Sequence, residues 1–335
     1  MMSKNITKRL DEIEIIRVFC ILSVIGAHFS GTVFSTFKGA SLFLFYCLRA
    51  YGTIGVVGFF IISGFLYNCK EKKITKILLK KMKYILIPTY IAAFFNYAIL
   101  HIYDFSLKEF IIYCYGGGSL YYYITVIMIF YIIFYYVHDN MIILYSMIII
   151  NIGSVMLFAS DFIMYDQLPY PYLTSYLIPT NWIGFFALGV IVKEKNIWER
   201  IVEYLEKYNR ALLFIFIIIT FLYVYYCAEI EISYFLYQSI PYEILGISAI
   251  IGASRKLIHY NYLKNIGRSS FFTYLYHINI IGFISNRFCI AWYIVLFYPV
   301  IILILFWLSS NIIIKLTSKV SYIQKYLFLL GIKEK

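Results

Sequence analysis

Charge is scarce in this sequence. Asp, Glu, Lys and Arg make up only 14% of its 335 residues, against about 25% in a typical soluble domain. The few charges fall in short clusters. Between the clusters run apolar stretches long enough to cross a bilayer, which takes about 20 residues per helix. A water-soluble domain is excluded on these grounds. Cysteine is sparse as well: the six residues are scattered and no CxxC occurs, which argues against a zinc site. Apolar packing is the expected place for each thiol. A Gly-rich phosphate loop is also lacking, because Gly116-Gly117-Gly118 has no Lys-Ser/Thr after it. No internal repeat stands out.

Hydrophobic residues dominate instead, at 62% of the chain. They predict an all-α fold: a polytopic transmembrane helical bundle forming one domain over 1–335. About ten spans are expected, near 13–33, 47–67, 84–102, 119–137, 141–160, 176–192, 211–228, 237–253, 269–287 and 291–314. The breaks near His138-Asp139-Asn140 and near Cys289 are the two that a bend in a longer helix would also explain. A β-barrel is excluded because the runs are continuously apolar rather than alternating. Residues 1–14 carry Lys4, Lys8 and Arg9, and no small-residue cleavage site follows the first apolar run. That run is therefore read as a retained span rather than a cleaved signal.

The basic residues set orientation. With the N-terminus inside, the inner segments hold 24 of the 29 Lys and Arg, and the outer ones hold Lys38, Arg49, Lys108 and Arg287. Arg17 lies within the first span. This asymmetry fits the positive-inside rule and predicts both termini in the cytoplasm. It also accounts for the net charge of +12. The basic residues are read as topology signals and lipid-headgroup contacts, and nucleic acid is not an expected partner.

Ionisable groups inside a span are costly, so each is a candidate for function. The first span carries Glu14, Arg17 and His28. Eleven residues turn a helix about 1,100°, close to three full turns, so Arg17 and His28 share a face roughly 16 Å apart along the axis. Glu14 stands one turn below Arg17, a spacing that permits an ion pair. A structural pair with one buried histidine is the competing explanation. His277 falls in the middle of the ninth span, after Ser269, Ser270 and Tyr274, where a structural and a functional role are evenly balanced. His101 and Glu243 lie near outer span ends and are read as interfacial. Ser63-Gly64 permits close helix approach. The cluster Lys70 to Lys83 is either plain topology signal or a cytoplasmic cationic surface able to hold phosphates.

Glu14-Ile-Ile-Arg17 followed by Ala27-His28-Phe29 resembles the first helix of the acyltransferase 3 family of membrane-bound O-acyltransferases. Gly55-Val-Val-Gly-Phe-Phe-Ile-Ile-Ser-Gly-Phe65 looks like its second-helix signature, and Lys80-Lys-Met-Lys-Tyr-Ile-Leu-Ile-Pro88 resembles its basic stretch ending in Pro. Ile266-Gly267, Ser270 and Tyr274-Leu-Tyr-His277 resemble its late Gly-x-x-Ser…Tyr-x-x-His segment, and Phe185 to Gly189 a Phe-x-x-Gly element. Lysines stand where that family usually has arginines, and Tyr121-Tyr-Tyr123 where a Trp is usual.

The resemblance implies an enzyme that moves an acyl group, commonly acetyl, from cytoplasmic acyl-CoA to a hydroxyl of a cell-surface glycan or its lipid-linked precursor. Under it His28 is the base, Arg17 and Glu14 orient donor or helix, and an acyl-His intermediate is the rival mechanism. Lys80, Lys81 and Lys83 contact CoA phosphates, and Ser270 and His277 shape the acyl-CoA path. No metal is implied. The implied setting is a bacterial inner or plasma membrane with the protein multi-pass among membrane lipids; assembly with further copies is left open. Two other classes stay open: an exporter or flippase of a polysaccharide, and a membrane scaffold.

Overall fold

The computed structural model describes residues 2–33, 40–67, 73–160, 168–227, 233–287 and 297–332. Among them the structure is helical throughout, without a strand. In lipid every backbone N–H and C=O must be satisfied internally, and helices do this within one segment. The chain forms two compact units, one built from 1–59 and 196–313, the other from 60–195 and 314–335.

The first unit opens on α1 (Met2–Val33), followed by α2 (Ala40–Phe65), of which residues up to Phe59 belong here. Six helices are labelled in chain order across the second unit. They are α3 (Ile74–Lys81), continued through a wide π-helical turn (Met82–Leu86) into α4 (Ile87–Leu100), then α5 (Leu107–Tyr115), α6 (Tyr122–Val137), α7 (Met141–Ala159) and α8 (Ile183–Glu194). The first unit resumes with α9 (Trp198–Lys207), α10 (Asn209–Cys227), α11 (Ser239–Leu257), α12 (Asn261–Arg268), α13 (Ser270–Arg287) and α14 (Tyr298–Thr317). A short helix (Ser321–Gln324) and a 3-10 turn (Leu327–Leu330) close the described chain.

Among the described residues, six helical stretches are long and apolar enough to cross a membrane: Asp11–Gly31, Leu42–Phe65, Ile74–Leu100, Met141–Ala159, Asn209–Cys227 and Tyr298–Thr317. Tyr122–Val137 and Ser270–Ile284 are shorter apolar helices. The protein is thus an all-helical, multi-pass membrane protein. The break at His138-Asp139-Asn140 is real: Asn140 caps α7, its side-chain oxygen accepting from the N–H of Ile142 and Ile143 at 3.1 and 3.2 Å. The break near Cys289 lies outside the described residues.

The expected span 176–192 is not one helix. Ile178, extended as residues before proline tend to be, separates two 3-10 turns at Ser175–Leu177 and Pro179–Asn181, and the α-helix begins only at Ile183. Cys20, Cys47, Cys114 and Cys227 are free thiols, the first and last of them buried. Cys69 and Cys289 lie outside the described residues.

Within the second unit, the Ser63-Gly64 pair does what small residues do between apolar helices. A side chain at Gly64 would collide with the Phe186 carbonyl on α8, and one at Gly189 with the Ile61 carbonyl on α2. The two helices therefore cross backbone to backbone. Ser63 Oγ shares a hydrogen bond of 3.0 Å with the Tyr123 hydroxyl of α6.

The first unit is tied together at the foot of α1. Glu12 is fully buried. Its carboxylate accepts from Trp198 Nε1 of α9 at 2.8 Å and from Arg255 Nε of α11 at 2.6 Å. Arg255 also donates to Glu199 at 2.6 Å. Burial works against the guanidinium's charge, but Glu12 and Glu199 more than offset it and raise the Arg255 pKa. Beside this network Lys264 of α12 pairs with Asp11 at 3.0 Å.

Removing one partner of a buried pair strands the other's charge, which costs about 3–5 kcal/mol. Glu12→Ala and Arg255→Ala should each lose about that much stability in detergent unfolding, and the double variant should lose clearly less than the two losses added together. Additive losses would show that the pair is not coupled.

Candidate active site

α1 carries three of the candidate residues, and its helix is unbroken through all of them. Arg17 Nη1 lies 2.7 Å from Glu14 Oε1, so the pair expected from the spacing forms. The side chains keep only 21% and 15% of their exposure. α12 crosses α1 at this level: a side chain on Gly267 would run into the Glu14 carbonyl. The Gly267 of the late motif thus serves backbone contact with the first-helix motif. Higher up, Ser23 Oγ donates to the Tyr51 carbonyl of α2 at 2.7 Å. Gly52 of α2 sits against Ala27, where any added carbon would clash with the Ala27 side chain. The turn before His28 is therefore clamped between backbones.

His28 itself is exposed. The ring that meets it belongs to α13: the centroids of His28 and His277 are 5.2 Å apart, tilted by 51°. His277 differs from His28 in every other respect. It has no exposure. Its Nδ1 lies 2.8 Å from the Tyr274 carbonyl and 3.2 Å from that of Thr273. Two carbonyls can only accept, so Nδ1 carries the proton and Nε2 is a bare acceptor. That Nε2 is buried without a hydrogen-bond partner among the described residues. Ser270, about two turns earlier on α13, is 6% exposed.

The lysines belong to the second unit. Lys80 and Lys81 end α3, and Lys83 lies in the π-helical turn. Lys81 Nζ stands 4.1 Å over the Tyr131 ring, and Lys83 Nζ stands 5.1 Å from Phe328 and 5.2 Å from Tyr84. Lys80 and Lys83 are exposed and Lys81 is half-buried. π-turns inside α-helices are rare and often mark functional positions.

An acyltransferase domain model matches residues 10–312, nearly the whole chain and all four groups of motifs. The chain belongs to the acyltransferase 3 family. No curated protein and no solved structure matches it. Membership of the acyltransferase 3 family gives the site its chemical frame, which is acyl transfer. An accessible imidazole in a membrane helix is suited to proton transfer during such a reaction, and His277 is closed off from solvent. Arg17 stays charged and cannot act as base.

One reading of a single residue changes and another holds. Glu243 is not interfacial: it is 1% exposed, with Oε1 buried and unpartnered among the described residues. His101 does sit near the helix end, stacked on Tyr97 and 3.3 Å from Asp104.

Glu12 and Arg255 escaped the sequence reading, because both fall among charges that topology already explains. The contact between His28 and His277 escaped it too, since nothing in the local pattern of either helix signals the other.

The difference in exposure has a direct readout. Treatment of the native protein with diethyl pyrocarbonate should modify His28 at least about tenfold faster than His277, because a buried site reacts only through local opening. Peptide mass spectrometry measures both. Equal rates would mean that α13 does not shield His277.

Proposed function

We propose that this protein is an O-acyltransferase that moves an acyl group, acetyl being the commonest in such enzymes, from cytoplasmic acyl-CoA to a hydroxyl of a cell-surface glycan or its lipid-linked precursor. The observation that carries the reading is the accessible His28 imidazole on a clamped face of α1, three turns above the Arg17–Glu14 pair, in a chain of the acyltransferase 3 family. The sugar O–H bond breaks as its oxygen attacks the thioester carbonyl. His28 takes that proton as general base. The new C–O ester bond forms, the C–S bond breaks, and the proton passes to the CoA thiolate. Arg17 orients the donor or the helix. Ser270 and His277 help shape the wall of the donor's path.

The donor's phosphates are assigned to Lys80, Lys81 and Lys83. An ammonium grips phosphate as a point charge rather than as a bidentate fork, so several lysines are needed where fewer arginines would serve. The topology belongs to the same proposal: ten spans in a bacterial plasma membrane with both termini cytoplasmic, which puts the lysine cluster on the side that holds acyl-CoA. Reporter fusions at Lys335 and within 161–175 should then report opposite sides, and agreement between them would refute the topology.

Mass spectrometry of envelope glycans tests the activity. Cells without the protein should keep their polymer but lose its ester; loss of the polymer itself would indicate an exporter. His28→Ala should abolish transfer, a drop of at least 10²-fold, with normal amounts of folded protein. Wild-type esterification by that variant would place the base elsewhere. Changing Lys81 and Lys83 together to Ala should raise the KM for acyl-CoA several-fold and leave kcat nearly unchanged; an unaltered KM would return the lysines to topology alone.

A further inference from the structure

Acyl-CoA offers a protein two handles besides its thioester: phosphates and an adenine ring. The lysines of the second unit answer the phosphates, but the base needs a partner of its own. A purine presents two flat π-faces, and stacking on aromatic side chains is the common way to hold one in water. The turn between α11 and α12 carries three rings in mutual contact. The centroids of His259 and Tyr260 are 4.0 Å apart, and those of Tyr260 and Tyr262 are 5.6 Å apart. All three residues are exposed, Tyr260 by 40% and Tyr262 by 51%. The turn itself is firmly seated. Arg255, just before it, is held by Glu12 and Glu199. The Tyr260 N–H donates to the Leu257 carbonyl at 3.0 Å. Just after it, α12 is fixed by Lys264 on Asp11, by buried Ile266 and by the crossing of Gly267 over Glu14. A surface held in this way has less ordering to lose when a ligand covers it.

Charge fits the same ligand. From Arg255 to Arg268 the chain has no Asp or Glu. Lys256 and Arg268 are both exposed. The positive-inside rule accounts for the cations, and the interfacial preference of tyrosine accounts for single rings. Neither gathers three rings on one anchored turn. We infer that the turn between α11 and α12 is the adenine subsite of the acyl donor: the base stacks on the rings of Tyr260 and Tyr262, and Lys256 and Arg268 supply positive charge for the phosphate on its ribose. The inference rests on the proposed use of acyl-CoA. Its placement agrees with that use. The Glu12–Arg255 and Asp11–Lys264 pairs bring this turn to the foot of α1, the end that the proposed topology puts in the cytoplasm.

Isothermal titration of the full-length protein in detergent tests this without turnover. The first probe is adenosine 3′,5′-bisphosphate, which has the base and its phosphate but no pantetheine arm. It should bind saturably and displace CoA from the wild-type protein. The second probe is CoA itself on two double variants. Changing Tyr260 and Tyr262 together to Leu keeps apolar bulk but removes the π-faces, and CoA affinity should fall at least about fivefold. Changing both to Phe keeps the faces and should hold affinity within about twofold. Thermal unfolding checks that each variant is folded. In turnover the Leu variant should raise the KM for acyl-CoA by a similar factor and leave kcat unchanged.

A folded Leu variant that binds CoA like wild type would overturn the subsite and assign the rings to the lipid surface. Failure of the bisphosphate to displace CoA from the wild-type protein would overturn it as well, and that measurement needs no variant. If CoA does not bind at all, the donor in the proposed function falls and the subsite falls with it. If CoA binds with the expected dependence on the rings while the glycan carries no ester, the subsite stands and only the proposed acceptor is lost.

Discussion

Apolar helices gain little by leaving lipid for one another, because both surroundings are equally oily. Their positions are therefore decided by the few polar pairs and backbone crossings that lipid cannot satisfy. In the first unit that decision falls on Glu12. Its buried carboxylate holds Trp198 of α9 and Arg255 of α11 together, and Lys264 and Gly267 bring α12 to the same level through Asp11 and Glu14. The foot of α1 is gripped by three elements at once.

A helix transmits such a grip along its length. Each residue advances the direction of its side chain by about 100°, so fixing the rotation at Glu12 fixes the direction of His28 as long as the helix is unbroken, and α1 is continuous from Met2 to Val33. The clamp at Ser23 and Ala27 repeats the constraint one turn below the histidine. The Glu14–Arg17 pair lies between the two clamps. The motif glycines supply these constraints by letting backbones touch.

The second unit uses the same devices for a different end. Gly64 and Gly189 bring α2 and α8 into contact; the Tyr131 ring stands beside Lys81 at the end of α3, and the Tyr84 and Phe328 rings beside Lys83 of the π-helical turn. Cation–π contacts of this sort stabilise an ammonium weakly, about 0.5–1 kcal/mol at exposed sites.

The sequence alone determined the fold class, because composition and run length leave a bilayer as the only solvent in which this chain folds. It also determined the Glu14–Arg17 pair and the break at Asn140, which depend on spacing and capping within a few residues of one another. It located His28 and His277 as candidates, and it placed the chain by its motifs.

The tertiary structure decided what local pattern cannot encode. The hydropathy of 176–192 hid a chain held extended at Ile178 before Pro179. The burial of Glu243 depends on helices packed around it, not on its distance from a span end. The meeting of Glu12 with Arg255 and of His28 with His277 joins residues more than 240 positions apart. Hydrophobic periodicity reports which residues leave water, but in a chain bound for lipid nearly every residue does. It cannot say which buried polar groups will find one another; that follows only from how the helices cross.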